Sequence, residues 1–209
     1  TLARPESEDA VVVGSGAQGR AQLMGLSKVM PKLKKVGLFD VLDSSAEKMA
    51  EEVRSQYPGI KITAFPFASL EDHVRNADII VTCTPSKKSF IKKDWLRKGS
   101  HINTIGADMP GKQEIDPWIT ANVRVFGDSR HQAAQKGECQ HAVSAGLIKP
   151  DDITEIGEVL NGTKPGRMSP DEITMFDATG MALQDLIAAK AALERAEAQN
   201  IGTVVEMEQ

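Results

Sequence analysis

Cysteine is scarce in this chain. Cys83 and Cys139 are the only two in 209 residues and form no CxxC pair, which argues against a structural zinc site and fits a reducing compartment, so a cytoplasmic protein is expected. Long apolar runs are missing too. No run approaches spanning length and the opening TLARPESEDA carries no signal-peptide core, so neither a membrane span nor a secretory leader is expected. Charge of one sign is not in excess: the formal net charge is −4, which argues against nucleic acid or an anionic membrane as principal partner. The four histidines, His73, His101, His131 and His141, are scattered without ligand spacing, and no metal is expected. No repeat or low-complexity block appears. What remains is length enough for one well-buried core and at most an appendage.

Short β-rich runs alternate with longer helix-like segments. The runs at 10–14, 35–40, 60–65, 77–84, 100–107, 123–128 and 173–177 are mostly continuous apolar stretches, as strands buried on both faces require. The pattern predicts an α/β fold: a doubly wound, mostly parallel sheet with helices on both faces. Among the helix signals, Ser44 and Glu47 have capping-box spacing, and SLED opens a helix at Ser69. DDITEIGEVLNG places Ile153, Ile156 and Leu160 on one helix face and stops at Asn161-Gly162. A long helix is expected from Met181 to Gln199. Its tail, NIGTVVEMEQ, has no packing partner in the pattern.

Residues 9 to 24 read DAVVVGSGAQGRAQLM. A tight turn alone accounts for one or two of the glycines. Lying between a strand and a helix, all three match the dinucleotide fingerprint. Gly14 permits the sharp turn, Gly16 lets the backbone approach a pyrophosphate, and Gly19 allows close helix–strand packing. The helix beginning near Ala17 then aims free N–H groups at that anion. No lysine follows as in an ATP-cleaving P-loop; a methyltransferase-like nucleotide site is the remaining alternative. Asp40 closes the next strand in VGLFDVLD, where an acid accepts both ribose hydroxyls and repels a 2′-phosphate. No arginine follows it in VLDSS, so NAD is favoured over NADP. A helix-capping role fits Asp43 better than Asp40.

In such sheets ligands bind beyond the carboxyl ends of the strands. Those ends read TCTPSKK, NTIGADMPGKQEID, GDSRHQ and FDATGM. Asp108 lies in a glycine- and proline-rich loop with Lys112 four residues on. The acid there has two readings: proton exchange with an amine or imine, or a turn-forming aspartate beside a solvated lysine. Cys83 is expected in the core, Ser169 as a helix or turn cap, Lys87 and Lys88 in a solvated loop, and His131 and His141 at the surface.

The stretches VVGSGAQGRAQ, VTCTPSKKSFIKKDWLRKGSHINTIGADMPGKQEID and EIGEVLNGTKPGRMSPDEITMFDATGMALQD resemble the ornithine cyclodeaminase/mu-crystallin family, and the likeness covers nearly the whole chain. The resemblance implies a Rossmann-type domain and an NAD(P)-dependent interconversion of amino acids and imines. It places the phosphate turn on Ser15, Gly16, Ala17 and Gln18, flanked by Gly14 and Gly19, and the ribose acid on Asp40. It assigns further cofactor contacts to Thr84, Gly106 and Lys112, and the catalytic acid to Asp108. The nicotinamide-side loop is here DATG, so Ala178 stands where the family carries a serine and supplies no hydroxyl to the cofactor. Thr179 borders the substrate.

Family members carry an N-terminal domain that grips the substrate carboxylate and forms much of a dimer interface, whereas about nine residues precede the first strand here. Residues 1–180 are therefore expected to be the dinucleotide-binding half, and 181–209 a helix and tail that pack on the other domain, with little turnover by this chain alone. Two functions follow from the resemblance. One is a dehydrogenase or cyclodeaminase acting on an amino or imino acid, in a protein that is a homodimer when complete. The other is a non-catalytic NAD(P)- or ligand-binding module.

Overall fold

The apolar runs become strands because they are sandwiched between two helical layers. The computed structural model describes residues 1–205. In chain order the strands are β1 (Asp9–Val13), β2 (Lys35–Phe39), β3 (Lys61–Ala64), β4 (Ile79–Thr82), β5 (Lys87–Ile91), β6 (His101–Thr104), β7 (Gln113–Ile115), β8 (Arg124–Gly127), β9 (Thr154–Glu155) and β10 (Thr174–Asp177). The helices are α1 (Ala17–Val29), α2 (Asp43–Arg54), α3 (Leu70–Val74), α4 (Pro117–Thr120), α5 (Arg130–Gln135), α6 (Gln140–Ser144), α7 (Ile156–Leu160) and α8 (Ala182–Ala198).

Eight strands form one sheet in the order β3-β2-β1-β4-β6-β10-β8-β9, every pair parallel. Successive side chains point to opposite faces of a strand, and β1 shows the result. Ala10 and Val12 pack with Leu23 and Leu26 of α1 and Met49 and Val53 of α2. Val11 and Val13 join the opposite cluster, with Leu70 of α3, Ile119 of α4 and Ala133 of α5. Both faces are covered, which is what a parallel sheet demands. At the amino ends of the strands, buried Asp78 accepts the N–H groups of Glu8 and Asp9 and pairs with Arg4 and Arg97. The carboxyl ends are left for the site.

Several local expectations need correction. Ser44 and Glu47 form no capping box: α2 starts two residues earlier than that box requires, with Leu42 at its N-cap and no side-chain cap. Asp43 is likewise no cap, because its carboxylate accepts the Phe67 N–H across to the chain after β3. Ser69 sits at the N-cap of α3 without capping it; its hydroxyl donates to Pro66 O. The single helix read over DDITEIGEVLNG is two elements. Ile153 is buried and leads into β9, and the helix opens at Ile156 through a reciprocal Glu155–Glu158 capping box. Leu160 then points to solvent. Lys87 and Lys88 are exposed but belong to β5, which pairs in parallel with β7 as a separate two-stranded ladder. His141 is half-buried, its Nε2 2.7 Å from Lys112 O.

Residues 180–209 form a second unit. Within it α8 runs for seventeen residues, with Leu183, Leu186, Ile187 and Leu193 exposed. It ends as Ile201 N–H returns to Ala196 O, with Asn200 at φ +53°. Glu206 to Gln209, the last residues of the expected tail, lie outside the described residues. Among the described residues no helix is long and apolar enough to cross a membrane.

Candidate active site

Strand order reverses direction between β1 and β4, and a crevice opens where the crossovers leave to opposite sides. The glycine turn stands at that point. Gly14, at φ +111°, donates its N–H to Phe39 O at 2.8 Å, and a Cβ built there would stand 2.5 Å from Cys83 O. A Cβ on Gly19 would collide with Gly14 O. Gly16 differs: nothing lies within 4 Å of the Cβ position. It is the N-cap of α1 and has no side-chain cap of its own, so the first N–H groups of α1 have no acceptor inside the helix. Gly16, Ala17 and Gln18 are exposed. Ser15 is buried, and its Oγ has no hydrogen-bond partner. An open cradle, free helix N–H groups and an orphaned hydroxyl fit a pyrophosphate.

Asp40 follows β2 directly and is half-buried beside this turn. Its Oδ2 accepts the Ser15 N–H at 2.9 Å and its Oδ1 accepts the Leu42 N–H at 3.1 Å. The same carboxylate thus holds the turn and presents its free lone pairs to the edge. Val41 and Leu42 beside it are exposed apolar side chains.

Across the crevice the ends of β4 and β6 carry Thr84 and Gly106. Both are tied to Glu114 of β7, a fully buried carboxylate. Asp108 lies two residues past Gly106. Its Oδ1 is 2.6 Å from Lys112 Nζ, in an i,i+4 ion pair. Lys112 retains 20% of its side-chain exposure and Asp108 50%, so the lysine is half-buried against the acid rather than fully solvated. Ala178, half-buried after β10, donates its N–H to Thr104 O. The Thr179 hydroxyl donates to Asp128 Oδ1 at 2.8 Å and its N–H to Asp128 Oδ2. Cys83 packs under the turn, its Sγ 3.2 Å from Val13 O. Burial, with the nearby carboxylates of Glu114 and Asp40, pushes its thiol up to about 12, so it is inert. Ser169 accepts the Glu172 N–H within a turn.

The sequence reasoning missed four acids behind these loops. Glu138 accepts the N–H groups of Glu114 and Ile115, and Asp177 accepts those of Glu138 and Cys139. Asp128 and Glu114 are the other two. Glu114 and Glu138 sit in polar stretches that read as solvent-facing, and Asp128 and Asp177 close apolar runs where an acid reads as the exposed end of a strand; the one signal is Gly137, where a Cβ would stand 2.5 Å from Asp177 Oδ2.

Burial raises the carboxyl of Glu138 to about 8, against the pull of its two N–H donors. It raises Asp177 to about 6 and also lifts Glu114. A folded carboxyl that keeps its proton longer than the unfolded one loses stability as pH rises between the two values. His101, buried and lowered to about 4, acts with the opposite sign and only below its ordinary value of 6.5. Above pH 6.5 the raised Glu138 governs. We expect stability to fall by about 2 kcal/mol between pH 6.5 and 8, at ~1.4 kcal/mol per unit. The melting temperature should therefore drop over that interval, and Glu138→Gln should remove most of the slope. A flat profile in the unsubstituted chain would contradict the assignment.

Parallel strands in this order, helices on both faces and a glycine turn at the reversal define a Rossmann-type α/β domain. The model of the ornithine cyclodeaminase/mu-crystallin family matches residues 1–200, and the chain belongs to that family. It is 38% identical over 205 residues to an alanine dehydrogenase of Archaeoglobus fulgidus, covering 98% of this chain and 62% of that protein. Two solved structures superpose closely. An archaeal alanine dehydrogenase dimer with bound NAD has a TM-score of 0.91 at 39% identity, covering 99% of this chain and 63% of its own. The Thermococcus litoralis Delta(1)-pyrroline-2-carboxylate reductase, in complex with NADH and L-proline, has a TM-score of 0.92 at 30% identity, with 98% and 62% covered. The chain spans about three fifths of the length of these relatives.

Proposed function

We propose that this chain is the NAD-binding portion of an amino-acid oxidoreductase or cyclodeaminase. The observation that carries the reading is the open glycine cradle with the unpaired Ser15 hydroxyl, set beside Asp40 at the strand-order reversal. Ser15, Gly16, Ala17 and Gln18 would hold the pyrophosphate, with Gly14 and Gly19 shaping the turn, and Asp40 the adenosine ribose. Thr84, Gly106, Lys112 and Ala178 would line the other end. Relatives solved with NAD and with NADH support the same cofactor here. When bound, NAD accepts a hydride from the α-carbon of an amino acid or returns one to an imine.

Asp108 is the catalytic residue in this reading. Its half-exposed carboxylate reaches solvent and substrate while Lys112 fixes its direction, and it takes or returns a proton at the substrate nitrogen. Thr179 borders the substrate. Residues 181–209 would pack on a substrate-gripping domain, and the complete enzyme would be a homodimer, a reading supported by the dimer of the archaeal alanine dehydrogenase. A reducing cytoplasm suits two cysteines that are both free.

Titration of the chain with NADH and with NADPH tests the cofactor. The unsubstituted chain should prefer NADH. Asp40→Asn keeps an acceptor for the Ser15 N–H but removes the charge that repels a 2′-phosphate, so discrimination should shrink by roughly tenfold. Binding of neither nucleotide would end the proposal. Within a complete enzyme, Asp108→Asn should cut kcat by about a hundredfold or more; full activity would favour the binding-module function instead.

A further inference from the structure

Beyond Thr82 and Thr104 the ladder between β4 and β6 closes with one last bond, Ile105 N–H to Thr82 O at 2.8 Å. Past it the two chains part, and the N–H groups of Thr84 and Gly106 have no strand to pair with. A single side chain fills the wedge. Glu114 Oε1 accepts the N–H and the hydroxyl of Thr84, both at 2.7 Å, and Oε2 accepts the Thr82 hydroxyl at 2.7 Å and the Gly106 N–H at 2.9 Å. A Cβ on Gly106 would collide with Thr84 O and stand 2.6 Å from the Glu114 carboxyl, so the glycine is required by the close approach of both. Glu114 is itself held at its backbone by Glu138. It is fully buried, and so it acts through the loops it ties.

The side of the crevice it serves follows from the topology. Asp40 just past β2 marks the adenosine end and the β1–α1 turn the pyrophosphate, which leaves the ends of β4 and β6 for the nicotinamide end. Resting on the proposed NAD reading, we infer that Glu114 is a positioning residue. It sets the gap between the loops after β4 and β6, and with it the seat of the nicotinamide end and the placement of Asp108.

Glu114→Gln keeps the volume but cannot keep the bonds. Either orientation of the amide aims its NH2 at the N–H of Thr84 or of Gly106, leaving one backbone donor unsatisfied. Thr82→Val is a gentler, near-isosteric probe that removes one of the four donors from within the strand, away from the cofactor edge. Affinities of the full chain for NADH and for ADP-ribose, which lacks the nicotinamide, separate positioning from stability. Glu114→Gln should weaken NADH about tenfold while ADP-ribose changes less than about twofold; Thr82→Val should weaken NADH about threefold with ADP-ribose unchanged. Equal losses for both ligands, or an unchanged NADH affinity, would overturn the role of Glu114. If Glu114→Gln does not fold, the Thr82→Val ratio decides by the same criterion. An unsubstituted chain that binds neither ligand would instead overturn the dinucleotide reading and this inference with it.

Discussion

A Gly16→Val chain should melt within about 2 °C of the unsubstituted one and bind NADH roughly a hundredfold more weakly. The backbone of Gly16 lies at φ −77° and ψ −164°, extended geometry that a β-branched residue adopts without strain. Its Cβ position meets nothing within 4 Å, so the fold has no objection. The objection comes from the ligand, because the isopropyl group would occupy the cradle above α1. Losing about two charge-assisted hydrogen bonds to a pyrophosphate, at ~1.5 kcal/mol each, accounts for the factor. Differential scanning fluorimetry and NADH fluorescence on the same sample check both halves. Undiminished NADH affinity would mean the anion does not sit there.

Gly19→Ala should do the reverse. Three residues along the same turn, the added methyl runs into Gly14 O, backbone that cannot step aside without moving Gly14 off Phe39 O. Overpacking against main chain costs about 3 kcal/mol, a fall of roughly 6 to 12 °C in melting temperature. On the proposed reading the turn contains one glycine for the ligand and two for the fold. Unchanged stability would show that α1 is not clamped onto β1 at this point.

That division was legible in the sequence because spacing alone separates the three roles. Seven of the eight sheet strands were legible for a related reason: a strand buried on both faces must be apolar throughout, and runs such as AVVVG and ADIIV say so. What escaped has the opposite character. β9 is two residues, Thr154 and Glu155, and β5 and β7 carry KKSFI and QEI, too short or too polar to announce themselves. The capping box at Ser44 and Glu47 failed because its residues lie inside the helix, whose N-cap falls two positions earlier. The site divides the same way. Gly14, Gly16, Gly19, Asp40, Asp108 and Lys112 were singled out as candidates by motif, position and family resemblance. Glu114, Glu138 and Asp177 were not, since nothing local distinguishes an acid facing backbone N–H groups from one facing water. Their identity as buried acceptors exists only once residues 8 to 39 positions apart have met.

The place of β10 in the sheet bears on how the molecule comes into being. Thr174–Asp177 is the last of the described strands in chain order, yet it lies between β6 and β8. Until the ribosome has released it, those two neighbours face a vacant slot about two strand spacings, roughly 10 Å, wide. The β1–β4 half can assemble early, while the half bearing the Asp108 loop must wait for its central plank. A nascent chain halted short of residue 174 should hold adenosine groups before it can seat a whole dinucleotide.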